Sequence, residues 1–470
     1  MDKVMQPEVF CVPIFDKILL YAPLTGVVAL INTRAAVALA HAGNDPEALP
    51  VNLIELSQAI YAPTQDPSPR VDAPLDPIYL GIIPTRGCNI GCRYCDFAAS
   101  KNASPDMSAA LGRQAVDAYL KLITQAGHTE GQIHFFGGEP FYAPALVRSV
   151  VEYATARTAA SGMKLRFEAT TNGVYGSKLC QWIGDHFDTV ILSLDGLPGD
   201  HDRHRPALNG RGTFETVARS ARIFSQSRAE LIVRACVTAE SVASMPDFAH
   251  WIGVELKPST VCFETLSLSP LAIEAGFTPP DPHDFARCFD RSDQILRGYG
   301  IQTVTSSADL SETRTSFCPV SKDALIVSPD GAVDACYLLE EDWQERGLDM
   351  RLGWLKGSDF EIEAQALRRV RGMNAHNRPL CADCLCRFHC AGGCYVHHDT
   401  HRPAGQFDDW CVQTRLITVT QLLRRMGQDA LAEAWLADLS AWQTAVWRSS
   451  DRLSAASQSC VIPVQRSIQT

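Results

Sequence analysis

The stretch Cys88-Asn89-Ile90-Gly91-Cys92-Arg93-Tyr94-Cys95 governs how the rest of the chain is read. It follows an apolar run, Tyr79–Ile83, that predicts a β-strand. Three thiolates at this spacing can wrap one loop around a cubane iron–sulfur cluster. Three protein ligands for four irons leave one iron open, and an open coordination position is how a metal site admits a substrate or cofactor. A zinc site is the competing reading. It would want a fourth ligand, and the nearest carboxylate, Asp96, is weak support.

Outward from this loop the chain alternates strands and helices. Further strands are predicted at Gln132–Phe136, Lys164–Ala169, Thr189–Leu194, Glu230–Thr238 and Val261–Leu266, with helical stretches between them and a last helix near His283–Arg297. Six βα units with buried parallel strands predict an open (β/α)6 partial barrel, since a closed eight-unit barrel needs more chain. The second strand runs into Phe136-Gly137-Gly138-Glu139-Pro140. Glycines let the backbone approach a ligand, and Glu139 can accept from an ammonium. The third strand leads into Thr170-Thr171-Asn172-Gly173 and the fourth into Ser193-Leu194-Asp195-Gly196. Polar residues at these ends face the ligand mouth of a parallel sheet.

The CxxxCxxC loop, with Gly-Gly-Glu-Pro one strand later, resembles the radical S-adenosylmethionine (SAM) superfamily. The resemblance implies that Cys88, Cys92 and Cys95 hold a [4Fe–4S] cluster and that Tyr94 lies against the adenine of SAM. It implies that Gly137, Gly138 and Glu139 hold the SAM amino group. Ser193 and Arg205 contact the ribose or carboxylate, with Thr171 a further contact. Taken alone, Arg205 is as readily a surface ion pair, and Thr171 and Asp195 turn residues.

Eleven of the 17 cysteines fall in two groups, the loop above and eight between Cys318 and Cys411. The second group reads C-x17-C, then C-x2-C-x5-C-x3-C, then a last cysteine. It resembles the SPASM domain of peptide-modifying radical SAM enzymes. Carried over by position, Cys381, Cys384, Cys390 and Cys411 bind one auxiliary [4Fe–4S] cluster. Cys318, Cys336 and Cys394 bind the other. Its fourth ligand is open: Cys386, an extra thiol inside the pattern, is a candidate, and an open iron is the alternative. A pair of zinc ribbons is the bland reading, but zinc sites close with four ligands and this set divides unevenly. His389, His397 and His398 flank these cysteines and are read as partly exposed rather than as ligands.

The chain therefore divides into a candidate peptide-recognition unit over 1–65, a linker over 66–77, the partial barrel over 78–300, the SPASM region over 301–425, and a helix and tail over 426–470. Short β-runs at Val9–Ile14, Lys17–Tyr21 and Gly26–Ile31, then two helices, make the first unit winged-helix-like and apparently independent of the barrel. The net charge of -11 argues against nucleic acid or an anionic membrane as partner. An odd number of cysteines and no signal-peptide pattern imply a cytoplasmic protein with reduced thiols.

The resemblance implies an enzyme that splits SAM reductively, using an electron donor such as flavodoxin or ferredoxin, and abstracts hydrogen from a precursor peptide or protein. The expected product is a thioether or carbon crosslink, as in ribosomal-peptide or quinohaemoprotein amine dehydrogenase maturation. An anaerobic sulfatase-maturing enzyme, forming formylglycine, is the alternative. In that family an Asp follows the cysteine of the GxxxxC motif, where this chain has Tyr337. A non-catalytic iron–sulfur electron carrier is the third reading, and an open iron counts against it.

Overall fold

The computed structural model describes residues 4–438 except 6–7, 43–44, 46, 48, 66, 69–70, 98, 100–104, 160–161, 399–402 and 404–405. The chain opens with β1 (Val4–Met5), β2 (Phe10–Ile14), β3 (Lys17–Ala22), β4 (Val27–Ile31), α1 (Thr33–Ala42), α2 (Val51–Ile60) and β5 (Thr64–Gln65). Asn32 caps α1, its Oδ1 accepting from Ala35 N at 2.8 Å. Strands β2, β3 and β4 form an antiparallel sheet in that order.

This sheet is buried on both faces, which explains its unbroken apolar runs. Leu20 and Ala22 pack with Leu39, Leu53 and Ile60 beneath α1 and α2. The alternate residues Leu19 and Tyr21, with Phe10, Val12 and Ile14, enter the main core instead. Tyr21 Oη bonds His389 Nε2, and Arg387 pairs with Glu8 at 3.1 Å. The expected independence of this unit does not hold: one face of its sheet is core to the cysteine-rich region.

The segment expected as a linker is also tied down. β5 pairs antiparallel with β1. Arg371 donates to the carbonyls of Val71, Ala73 and Pro74 while holding the Asp323 carboxylate. Proline and aspartate mark a segment without regular structure, but not one without partners.

The barrel follows: β6 (Leu80–Ile82), α3 (Ala109–Gln125), β7 (Glu130–Phe135), α4 (Pro144–Ala159), β8 (Lys164–Thr171), α5 (Ser177–His186), β9 (Thr189–Ser193), α6 (Pro198–His204), α7 (Phe214–Ser225), β10 (Glu230–Val237), α8 (Met245–Glu255), β11 (Thr260–Thr265), α9 (Pro270–Glu274) and α10 (Pro282–Gly298). The six predicted strands are all present, each within two residues at either end. Beyond them come β12 (Gln302–Val304), β13 (Leu325–Val327), β14 (Ala332–Asp334), α11 (Glu340–Gln344), β15 (Arg351–Lys356), β16 (Asp359–Ile362), α12 (Ala364–Arg371), α13 (Asp409–Arg425) and α14 (Asp429–Ala437). The helix expected within 426–470 is α14, set off from α13 at Gly427 with φ +69°, and residues 439–470 lie outside the described ones. The tail after Arg448, with Cys460, lies outside the described residues.

One sheet runs β12-β11-β10-β9-β8-β7-β6-β13-β14-β15-β16. It is parallel from β12 through β6 to β13, then antiparallel to β16. The cysteine-rich region thus continues the barrel sheet. Three-residue strands such as β12 and β13 are too short to leave a periodic signal, which is why no strand is predicted beyond Val261–Leu266.

Burial separates the two faces of the barrel. In β10, Val233 and Ala235 are wholly buried against the outer helices, whereas Ile232, Arg234 and Cys236 are partly or largely exposed. The inner face is open, so the sheet encloses a lumen with its mouth at the C-terminal strand ends. Among the described residues no helix is long and apolar enough to cross a membrane.

Candidate active site

The cysteine loop sits at that mouth, sewn to the segment after α6. Gly91 N donates to Pro206 O at 2.8 Å and Arg93 N to His204 O at 3.0 Å, and Ile90 bridges Ala207. On the other side, Gly138 N donates to Thr85 O at 3.1 Å and Glu139 N to Gly87 O at 2.9 Å. Gly137 has φ +132°, and a Cβ on Gly138 would lie 2.1 Å from Gly87 O. These glycines therefore admit the cysteine loop's own backbone, a need the motif alone does not reveal.

Glu139 is almost wholly buried. It accepts from Phe141 N at 3.0 Å, Thr171 Oγ1 at 2.8 Å and Asn172 N at 2.7 Å. Burial nonetheless raises its pKa to about 7. Thr171 is thus a brace for Glu139. Asn172 reaches the thiols, its Nδ2 lying 3.5 Å from Cys88 Sγ and 2.9 Å from Asn89 Oδ1. Ser193 ends β9, buried and in register with Arg234.

Asp195 is the hub of the opposite wall. It accepts from Tyr94 Oη at 2.5 Å, Arg205 Nε at 2.9 Å and Cys236 N at 3.1 Å. Burial alone would raise its pKa, but the Arg205 guanidinium and His204 outweigh that and hold it well below the usual carboxylate range. Tyr94 is engaged here, with Arg205 over its ring at 5.2 Å. Arg205 is no surface ion pair: its Nη1 points at Cys92 Sγ, 3.7 Å away. Asn172 was quoted with its motif but not picked out, and Asp195 was read as a turn residue. Arg86, which has no motif, was missed. It ties the cysteine loop to the far region through Tyr337 O at 2.8 Å and Ser328 Oγ at 3.0 Å.

Burial raises the Cys88 thiol to about 11 and Cys92 to about 12. Such thiols ionise on binding a metal, whose charge replaces the missing solvation. Among the described residues, the sets of ligand atoms lying within 4.8 Å of one another are His398, Asp408 and Cys411, and Asp281, His283 and Asp284. Ligands around one tetrahedral zinc at 2.3 Å stand about 3.8 Å apart. Cys88, Cys92 and Cys95 are not among these sets; three cysteines on one loop, with Asn172 and Arg205 aimed at two of their sulfurs, fit a cubane cluster that takes three protein ligands.

The other cysteines gather as two groups. Cys336, Cys318 and Cys394 act on one another electrostatically. Cys381, Cys384, Cys390 and Cys411 do likewise and line one small cavity. Cys386 lines the same cavity and bonds Thr418 Oγ1 at 3.4 Å, so the structure places it with this second group and not beside Cys318. Wholly buried Arg415 donates to Cys384 Sγ at 3.5 Å. His389 and His398 are buried rather than partly exposed. His398 Nε2 lies 3.6 Å from Cys411 Sγ, while His397 faces Asp96.

Tyr337 enters the lumen over Gly81, where a Cβ would lie 2.6 Å from its Oη. Its hydroxyl meets His134 Nδ1 at 3.0 Å.

Residues 82–252 match the family model described as Radical SAM superfamily. A serine-type anaerobic sulfatase-maturating enzyme of Klebsiella aerogenes is 24% identical over 326 residues, covering 66% of this chain and 77% of that protein. A cysteine-type anaerobic sulfatase-maturating enzyme of Clostridium perfringens is 24% identical over 170 residues, 36% of this chain and 46% of the relative. The solved structure described as native anSMEcpe with bound AdoMet and Kp18Cys peptide superposes with a TM-score of 0.58 at 20% identity, covering 75% of this chain and 99% of that one. At that identity the superposition speaks for the fold. The chain thus carries a radical SAM domain over residues 82–252, a domain of enzymes.

Proposed function

We propose that the protein is a maturase that modifies a peptide or protein substrate, with Cys88, Cys92 and Cys95 as ligands of the SAM-cleaving cluster. The observation that carries this reading is the convergence of three half-buried cysteines, Asn172 and Arg205 at the mouth of an open lumen. Held by Cys88, Cys92 and Cys95, such a cluster would supply the electron for reductive cleavage of SAM, the source of a hydrogen-abstracting radical. Arg205 and Asn172 supply donors toward the cluster thiolates. Glu139, braced by Thr171, shapes the wall on which Gly137 and Gly138 lie. The two remaining cysteine groups hold auxiliary clusters. Peptide binding is supported by the peptide held in the similarly folded anSMEcpe structure. The N-terminal sheet, with β4 at an edge and only half buried, offers a strand for recruitment.

Two products compete. Similarity to sulfatase-maturating enzymes favours formylglycine. Tyr337, at the position where that family carries an Asp, favours a thioether or carbon crosslink. Anaerobically reconstituted enzyme with dithionite and SAM should form 5′-deoxyadenosine, and the Cys88→Ala/Cys92→Ala/Cys95→Ala variant should form none while keeping its other iron. Unchanged cleavage by that variant would end the proposal. Once a substrate is in hand, hydrazide labelling separates an aldehyde from a crosslink.

A further inference from the structure

Arg234 lies in β10, in register with Ser193 of β9 on one side and Cys262 of β11 on the other. Registered residues share a face, and this one is the open inner face, where Arg234 is exposed although its strand is central to the parallel run. Among the described residues its guanidinium makes no hydrogen bond and no ion pair. Its charged neighbour is Glu264, with the thiols of Cys262 and Cys236 and Tyr94 of the cysteine loop also in range. Glu264 is committed elsewhere. Its Oε1 accepts from Ser306 N at 2.9 Å, from Ser306 Oγ and from Cys262 Sγ at 3.1 Å. The lumen thus contains a fork of five N–H donors with no acceptor, one strand from Ser193 and within electrostatic reach of the cluster loop.

We infer that Arg234 is a carboxylate-binding subsite of the lumen. A guanidinium in this position pairs with a planar, bidentate anion more readily than with a neutral side chain. The methionyl carboxylate of SAM is already implied for Ser193 and Arg205, so the new occupant is an Asp or Glu side chain of the peptide. The inference rests on the lumen being the reaction chamber proposed above. Because Arg234 has no side-chain partner, replacing it leaves no protein group unpaired.

The test is calorimetric titration of the anaerobically reconstituted wild type, Arg234→Gln and Arg234→Lys. SAM is titrated first. N-acetyl-Gly-Glu-Gly-amide and its Gln counterpart are then titrated into SAM-saturated enzyme. Loss of one charge-assisted pair weakens binding roughly 10- to 100-fold, with Arg234→Lys in between. If SAM weakens, Arg234 belongs to the SAM site and the inference is overturned. If the Glu peptide weakens while SAM does not, the carboxylate is the substrate's. Unchanged affinity in both arms overturns the inference, as does equal wild-type binding of Glu and Gln peptides with SAM unaffected. Should the Gln variant misfold, the Lys variant is read in its place. Wild-type 5′-deoxyadenosine formation is scored separately, so failure of the proposed function and failure of this subsite remain distinguishable.

Discussion

Replacing Gly138 by alanine tests whether the second strand's glycines serve backbone packing. The new Cβ would lie 2.1 Å from Gly87 O and 2.6 Å from Arg86 O. Both obstacles are backbone, and Gly87 O is held by Glu139 N at 2.9 Å, so neither can rotate aside. Opening the contact to 3.0 Å requires the start of the cysteine loop to move by about 1 Å. Overpacking of this kind costs ~1–3 kcal/mol. That is too little to unfold a chain of this size, but a shift of this length at a reacting site costs on the order of 100-fold in rate. The readouts are iron content and initial rate of 5′-deoxyadenosine formation. Gly199→Ala is the control, since a Cβ there meets nothing within 4 Å. The expectation is a folded protein that keeps its other iron and cleaves SAM about 100-fold more slowly, beside a silent control. Full iron with a rate within about threefold of wild type would refute the packing argument.

Arg371→Met leaves Asp323 buried without its bidentate partner and releases the carbonyls of 71–74. Stability should fall by ~3–5 kcal/mol, read as a shift in urea midpoint; less than ~1 kcal/mol would mean the segment is not held there. Cys386→Ser should leave iron and sulfide content unchanged, because Cys381, Cys384, Cys390 and Cys411 already surround that cavity. Loss of a cluster's worth of iron would make Cys386 a ligand. His201 accepts from Asp195 N and faces Thr213 Oγ1, which itself donates to Arg205 O. The ring is therefore neutral, and burial lowers its pKa to about 4. The unfolded chain, at about 6.5, binds the extra proton first, so stability falls as pH drops from 6.5 to 4, by about 3 kcal/mol. His201→Gln should flatten that limb of the stability–pH curve, and parallel curves for the two proteins would contradict the assignment.

The barrel was legible because its strands alternate with long amphipathic helices. The cysteine groups were legible because ligand spacing is local. What stayed hidden depends on pairings far apart in sequence. Tyr21 and His389 are 368 residues apart, and nothing in either neighbourhood marks the N-terminal sheet as two-faced until Leu19 and Leu20 are seen entering different cores. The glycines of the second strand were read against a ligand because their nearer obstacle, the backbone of 85–87, is set by tertiary packing. Cys386 was ambiguous since one-residue spacing from Cys384 fits either group until α13 supplies Thr418 beside it.

The arginines show a physical need that no motif carries. On the proposed reading, three sets of thiolates are buried with inorganic clusters, which adds negative charge where solvent cannot answer it. A guanidinium meets this need better than an ammonium, being more weakly hydrated and never neutral. Arg205 faces Cys92 and Arg415 faces Cys384. Arg378, stacked on Tyr395 at 3.4 Å, acts electrostatically on Cys318 and Cys394 of one group and on Cys381 and Cys390 of the other. Each cysteine group therefore has an arginine held from elsewhere in the fold: by Asp195 at the mouth, by the Tyr395 ring between the two auxiliary groups, and over Phe407 on α13's side. Arg234 departs from this pattern, since Glu264 is in electrostatic range but neither hydrogen-bonded nor paired to it, and that is why a ligand is expected to supply the missing contact.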